Sequence, residues 1–369
     1  MIINRDYILQ RINALIADNG TREQERKKNI NLIQKTWRRF QSLLPQEICV
    51  YYGDLYKAYR EYRRMHGKNK TVIHSNWIDR NFVSHCLEND FSFDTADYFS
   101  PEADSYIRKH IDDRIFLAFR GIISRPMNET ELAFTKLDRK ILSETSVKKQ
   151  FTEYVHNGEK YYIQEFSSFL WIYRYGMNSL PEAVKESVKG RDFLDIGAFY
   201  GDSTLMLLDF EPRRIYAYEP VKYNYKCLLE TIEKNRAGEK ITAVNKGVGD
   251  RETSLMIDSN LAESSFLTFS LSEEKSEEIT VATIDSECKD RNVGIIKMDI
   301  EGFEYYAVKG GLETIKRDRP LLLISIYHTG KDFFEIPPML KSCVPEYRFS
   351  IEDTFPSSVS EKILVGYAE

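Results

Sequence analysis

The chain has no run of 18 apolar residues, no C-x-x-C pair, no G-x-G-x-x-G fingerprint, no internal repeat and no low-complexity tract. Each absence removes a class. Without the apolar run, nothing reads as a membrane-spanning helix. Five cysteines, Cys49, Cys86, Cys227, Cys288 and Cys343, are odd in number and widely scattered. A disulfide framework and a structural zinc are therefore not expected, and a reducing compartment fits. The opening "MIINRDYILQR" offers no apolar core before a small-residue cleavage site. No secretory leader is expected, and the cytoplasm is the expected location. The missing glycine triplet disfavours a dinucleotide-binding turn.

What is present supports a folded chain. Hydrophobic residues make up 42% and charged residues 30% of 369 positions, enough for two or three domains with a sizeable core. Aromatics reach 13%, with 23 Tyr and 21 Phe, and Tyr suits half-buried helix positions. The net charge of −5 conceals an asymmetry. Lys and Arg outnumber Asp and Glu over the first 150 residues, and the reverse holds afterwards.

Residues 1–155 read as a mainly helical domain. Ile8, Ile12, Leu15 and Ile16 fall on one helical face, and Ile30, Ile33, Trp37, Phe40 and Leu44 recur at three- and four-residue steps. A third helix is expected to carry Tyr52, Leu55, Tyr56, Tyr59 and Tyr62, with further helices over 77–90, 101–120 and 129–150. Arg22, Arg26, Lys27, Lys28, Lys35, Arg38, Arg39, Arg60, Arg63 and Arg64 make this part basic. A solvated helix face explains that, and so does an anionic or nucleotide-linked partner. The apolar stripes would also serve a homodimer. Residues 156–190 read as a bridging segment.

From residue 191 to 369 short apolar runs alternate with helical stretches: "DFLDIGA", "RIYAYEP", "ITAVNKGVGD", "GIIKMDIEG", "PLLLISIYH". That alternation marks β-α-β units and a parallel sheet. "YRFSIEDTF" and "EKILVGYA", joined by "PSSVS", predict a closing antiparallel hairpin. The expected fold is α/β, a Rossmann-like class I methyltransferase sheet preceded by the helical domain.

The first strand ends in Asp195, followed by Gly197, Ala198, Phe199 and Gly201, in a D-x-G-x-x-x-G pattern that runs into a helix at Ser203. The glycines are expected to let the backbone approach a ligand, with the helix start facing it. Phe199 stands where a pyrophosphate would need glycine, and Asp195 would repel one. Asp195 instead suits an ammonium or sulfonium group, and S-adenosylmethionine (SAM) carries both. Glu219, 24 positions after Asp195 and followed by Pro220, is placed at a strand end to bind ribose hydroxyls. Asn245, Gly247 and Val248 are expected to border the adenine. Lys297, Asp299, Glu301 and Glu304 crowd the end of the next strand, one lysine among three acids.

"DFLDIGAFYGDS", "YAYEPVKYNYKCLLETIEKN", "IKMDIEGFEYYAVKGGLETI" and "RPLLLISIYHTGKDFFEIPPML" together resemble the FkbM family of SAM-dependent methyltransferases, over roughly residues 160–369. The resemblance implies O-methylation of a hydroxyl on a glycan or other small molecule, with polysaccharide biosynthesis as a setting. A sugar hydroxyl is a weak nucleophile and needs a base or a metal. Asp299 and His328 are the candidate bases, Lys297 and Glu301 the candidate assistants, and Asp299 an alternative holder of the SAM amino group. Asp299 and Glu301 offer hard oxygens to Mg²⁺. Spacing gives no third ligand, so no metal is assigned. "EIPPM" lacks the polar and aromatic ends of the DNA-methylating loop, so a nucleic-acid substrate is not expected. Two alternatives stay open: a nucleotide-cofactor oxidoreductase on a Rossmann-like sheet, and a non-catalytic SAM-binding or scaffold protein acting through its N-terminal helices.

Overall fold

The computed structural model describes residues 2–17, 70–148, 150–258, 276–356 and 358–368. The second and third expected helices, and the basic residues from Arg22 to Arg64, lie outside the described residues.

The continuous apolar runs become the inner strands of a seven-stranded sheet. These strands are β1 (Asp192–Ile196), β2 (Arg214–Tyr218), β3 (Ile241–Val244), β4 (Val293–Met298), β5 (Leu321–Ser325), β6 (Tyr347–Asp353) and β7 (Lys362–Ala368). Their order is β3-β2-β1-β4-β5-β7-β6. The first five run parallel, and β7 is antiparallel to both β5 and β6. Every residue of β1, β4 and β5 is buried, as befits strands covered on both faces.

Side chains alternate across the sheet into two separate cores. Leu194, Ile196, Ile296, Met298, Leu322 and Ile324 join one, and Phe193, Ile215, Ile295, Leu321 and Leu323 join the other. The N-terminal helices Arg5–Ala17, Trp77–Glu88 and Pro101–Arg120 supply Ile8, Ile12, Phe82, Ile107 and Ile111 to the first core. Ile8 and Ile12, half of the first apolar stripe, are thus used inside this chain. Phe82 packs on Phe333 and Phe334 of helix Gly330–Cys343 with ring centroids 5.5 Å apart. Each such buried ring stabilises by about 1.5–3 kcal/mol.

Arg114, with no exposed surface, fastens this layer to the sheet's edge. Its guanidinium donates to the carbonyls of Ile78 (2.8 Å) and Tyr327 (2.9 Å) and lies 3.1 Å from Asp79.

Two stretches depart from expectation. The helix over 129–150 ends at Ser143, and Ser146–Lys148 opens a three-stranded antiparallel sheet with Phe151–His156 and Glu159–Ile163. Asn157 and Gly158, both at positive φ, make its hairpin turn. Residues 247–248, 253–258 and 276–282 form another small sheet beside the main one. Among the described residues no helix is long and apolar enough to cross a membrane.

Candidate active site

The glycine turn after β1 is shaped by the protein itself. Gly197 has φ +81°, and a Cβ there would sit 2.0 Å from the carbonyl oxygen of Asp299. Gly201 has φ +92°, and its Cβ would press on Leu228 at 2.8 Å. The missing side chain at Gly197 lets the turn cross the end of β4, and that at Gly201 lets it rest on helix Lys222–Lys234. The amides of Gly197 and Ala198 donate to the carbonyl of Tyr218 at 3.0 Å, which seats the turn over β2.

Asp195 is likewise held by the protein's own groups. It has no exposed surface. One oxygen lies 2.9 Å from the Lys297 ammonium, and the other accepts from Ser203 (2.8 Å) and Thr204 (2.6 Å). Its charge is balanced by Lys297, and Ser203 is one of its hydrogen-bond donors. Lys297 is the counterpart. Its ammonium also donates to the carbonyl of Gly197 at 2.8 Å and faces the Tyr175 ring at 5.5 Å. Burial alone would lower its pKa, but Asp195 and Asp299 outweigh that and raise it. A cation so held braces the turn.

Glu219 ends β2 with only 4% of its surface exposed. Its carboxylate accepts from the amides of Phe199 (3.0 Å) and Val221 (2.9 Å). Burial pushes its pKa up to about 7, against these hydrogen bonds. Phe199 reaches Glu219 from a left-handed backbone, φ 49°. Asn245 donates to the carbonyls of Glu219 and Pro220 at 2.8 and 2.9 Å, fixing the loop after β2. Gly247 and Val248 pair with Val281 and Ala282, and Val248 is buried. Asp202, the first residue of helix Asp202–Leu207, is raised to about 6, chiefly by burial and against the attraction of Lys297.

The end of β4 gathers the acids. Asp299 and Glu301 are partly exposed, with side-chain accessibilities of 27% and 25%. His328 and Glu304 lie fully buried beneath them. Glu304 accepts from the amides of Ile300 and Gly302 at 2.8 Å each and meets His328 Nδ1 at 3.0 Å. His328 Nε2 faces Asp299 Oδ1 at 3.7 Å and Glu301 Oε2 at 3.5 Å. The Tyr327 hydroxyl donates to Asp299 at 3.2 Å. Burial would depress the His328 pKa, but Glu304 and Glu301 lift it to about 10. Burial raises Glu301 to about 7 and Glu361 to about 8. Asp332, hydrogen-bonded by Thr329 and the amide of Tyr305, is raised to about 7 by burial and by Glu304.

The structure brings Asp299, Glu301 and His328 together and holds Lys297 at the glycine turn. Sequence reasoning missed Tyr327, Glu361, Asp202 and Tyr175. Tyr327 adjoins His328 and was within reach. Glu361 arrives from the β6–β7 turn, whose placement no spacing reveals. Tyr175 sits in a left-handed pair with Arg174, φ 52° and 51°, that no local pattern announces.

A parallel sheet with a final antiparallel hairpin, a glycine turn after β1 and a buried acid after β2 define a class I SAM-dependent methyltransferase. Residues 195–349 match the model of the methyltransferase FkbM domain, so this part of the chain is an FkbM-type methyltransferase domain with SAM as its cofactor. No curated protein matches the chain in sequence. Among solved structures, a methyltransferase FkbM from Methylobacillus flagellatus KT is 23% identical, with a TM-score of 0.40 over 54% of this chain and 53% of that one. The chain therefore spans about half the length of that relative. An rRNA methylase from Streptococcus thermophilus is 11% identical, with a TM-score of 0.34 over 51% and 92% of the two chains. A Pyrococcus abyssi tRNA (uracil-54, C5)-methyltransferase, in complex with S-adenosyl-L-homocysteine (SAH), is 15% identical, with a TM-score of 0.34 over 60% and 44%.

Proposed function

We propose that the protein transfers a methyl group to a hydroxyl oxygen of a neutral, hydroxyl-rich small molecule or glycan. The observation that carries this is the partly exposed Asp299 carboxylate, hydrogen-bonded by Tyr327 and adjoining the Gly197 turn. The donor set fits SAM. Glu219 Oε2 accepts one amide and keeps a lone pair for a ribose hydroxyl. Asn245, Gly247 and Val248 line the neighbouring edge, and Asp202 is the carboxylate left for the amino group once Lys297 has neutralised Asp195. The bound cofactor supplies an electrophilic methyl on a sulfonium.

The chain's own residues then align and deprotonate. Asp299 accepts the hydrogen bond of the acceptor hydroxyl and takes its proton as the oxygen attacks. Tyr327 holds Asp299 in place. His328, tied to Glu304, sits beneath both. The rim of Asp299, Glu301 and Glu361 presents acceptors to hydroxyl groups and repels phosphates, so a sugar suits it better than an anionic acceptor.

Thermal shift with SAH, followed by transfer from radiolabelled SAM to a panel of neutral oligosaccharides, tests the reading. Asp299→Asn should keep SAH binding and lose transfer by about 10²-fold or more. Undiminished transfer by that variant, or no shift with SAH, would overturn it.

A further inference from the structure

His328 is the feature that methyl transfer leaves unexplained. Its side chain has no exposed surface, and Nε2 makes no hydrogen bond. Nε2 nevertheless points at two carboxylate oxygens, 3.5 Å away on Glu301 and 3.7 Å away on Asp299. These gaps are long for hydrogen bonds, and they suit a shared ion. A tetrahedral ion with bonds of about 2.1 Å holds its ligand atoms about 3.4 Å apart.

The other ring nitrogen is already committed. Glu304 meets Nδ1 at 3.0 Å, and both its oxygens are anchored by amides. A carboxylate on Nδ1 holds its N–H and leaves Nε2 facing the other two acids, the arrangement that orients a histidine ligand, and an incoming ion displaces the Nε2 proton. Asp299, Glu304 and His328 each bring an atom within 4.8 Å of the other two, so the positioning carboxylate and two of the three ligands are already gathered. The charge balance agrees. Asp299, Glu301, Glu304, Asp332 and Glu361 surround one imidazole, and the ammonium groups of Lys297 and Lys362 are paired with Asp195 and Asp353.

We propose that His328 Nε2, Asp299 and Glu301 bind one divalent first-row transition ion, with Glu304 as the positioning carboxylate behind the imidazole. Imidazole with two carboxylates suits Mn²⁺ or Zn²⁺ better than Mg²⁺. Binding stands independently of the methyl-transfer reading. Its use rests on that reading: an ion beside Asp299 lowers the pKa of the acceptor hydroxyl.

Chelator-treated full-length protein titrated with MnCl₂ provides the test, by calorimetry and by pulsed electron paramagnetic resonance. One Mn²⁺ per chain is expected, with a ¹⁴N coupling from an imidazole. Glu301→Gln, at a partly exposed position, should weaken Mn²⁺ at least about tenfold, and His328→Gln should abolish the ¹⁴N signal. SAH binding is measured on the same samples. Protein that binds SAH but no stoichiometric Mn²⁺, or that binds Mn²⁺ equally well after both substitutions, overturns the metal site and leaves the methyltransferase reading standing. Mn²⁺ binding without any SAH binding does the reverse.

Discussion

Asp195 and Lys297, 102 positions apart in sequence, form a fully buried ion pair at 2.9 Å beneath the glycine turn. The pair joins the ends of β1 and β4 at the level of the cofactor edge. Its strength is conditional. Two buried charges hold each other, but either one alone is expensive.

Lys297→Met should therefore lose about 3–5 kcal/mol of stability, because Asp195 is left charged without its partner. Asp195→Asn in the same background should cost much less than it does alone, with a coupling of at least about 1 kcal/mol. Chemical denaturation of the two single variants and the double variant checks this. Additive losses would mean that the two residues act separately.

Gly197→Ala and Gly190→Ala separate backbone strain from contact. Both glycines have positive φ, +81° and +67°, but only Gly197 faces an obstacle, Asp299 O at 2.0 Å, whereas Gly190 faces open space. Gly190→Ala should cost about 1–2 kcal/mol. Gly197→Ala should cost clearly more and should also displace Asp299. Equal melting temperatures for the two variants would remove the steric account of the turn.

Glu219 predicts a pH effect. Its pKa rises from 4.5 to about 7 on folding, so between those values the folded chain holds more protons than the unfolded one. Its contribution to stability then falls as pH rises through that window, by up to on the order of 3 kcal/mol. Cofactor binding should run the other way, because ribose hydroxyls need the ionised carboxylate. SAH affinity should drop about tenfold from pH 8 to pH 6, and Glu219→Gln should flatten that dependence. An unchanged slope in the variant would sink the assignment.

Arg114→Met leaves Asp79 buried and charged, and it frees the carbonyl of Tyr327. A loss of about 3–5 kcal/mol is expected. Transfer should fall further than SAH binding, since Tyr327 holds Asp299. Equal effects on both would show that Arg114 serves stability alone.

Much of the sheet was legible because β1, β4 and β5 are covered on both faces and read as unbroken apolar runs. Strands 253–258 and 276–282 were not, since "TSLMID" and "SEEITVA" carry the polar residues of a partly solvated sheet. In the site, Glu219 and Asp299 could be placed because each ends an apolar run. The roles of Asp195 and Lys297 could not. Sequence shows that both belong at the same edge, but not that they would satisfy each other first. Glu304 was counted among the acids at that strand end without a role, because its partner, His328, follows another strand.

One core of the sheet is completed by segments from the chain's first 120 residues, with Ile8, Phe82 and Ile111 buried in it. The change of pattern at residue 191 is therefore a poor place to cut. A fragment starting there would bare an oily surface to water, and a graft onto a foreign leader would need a replacement lid of matching shape. The smallest self-sufficient piece of this molecule has to begin well upstream of the motifs that identify it.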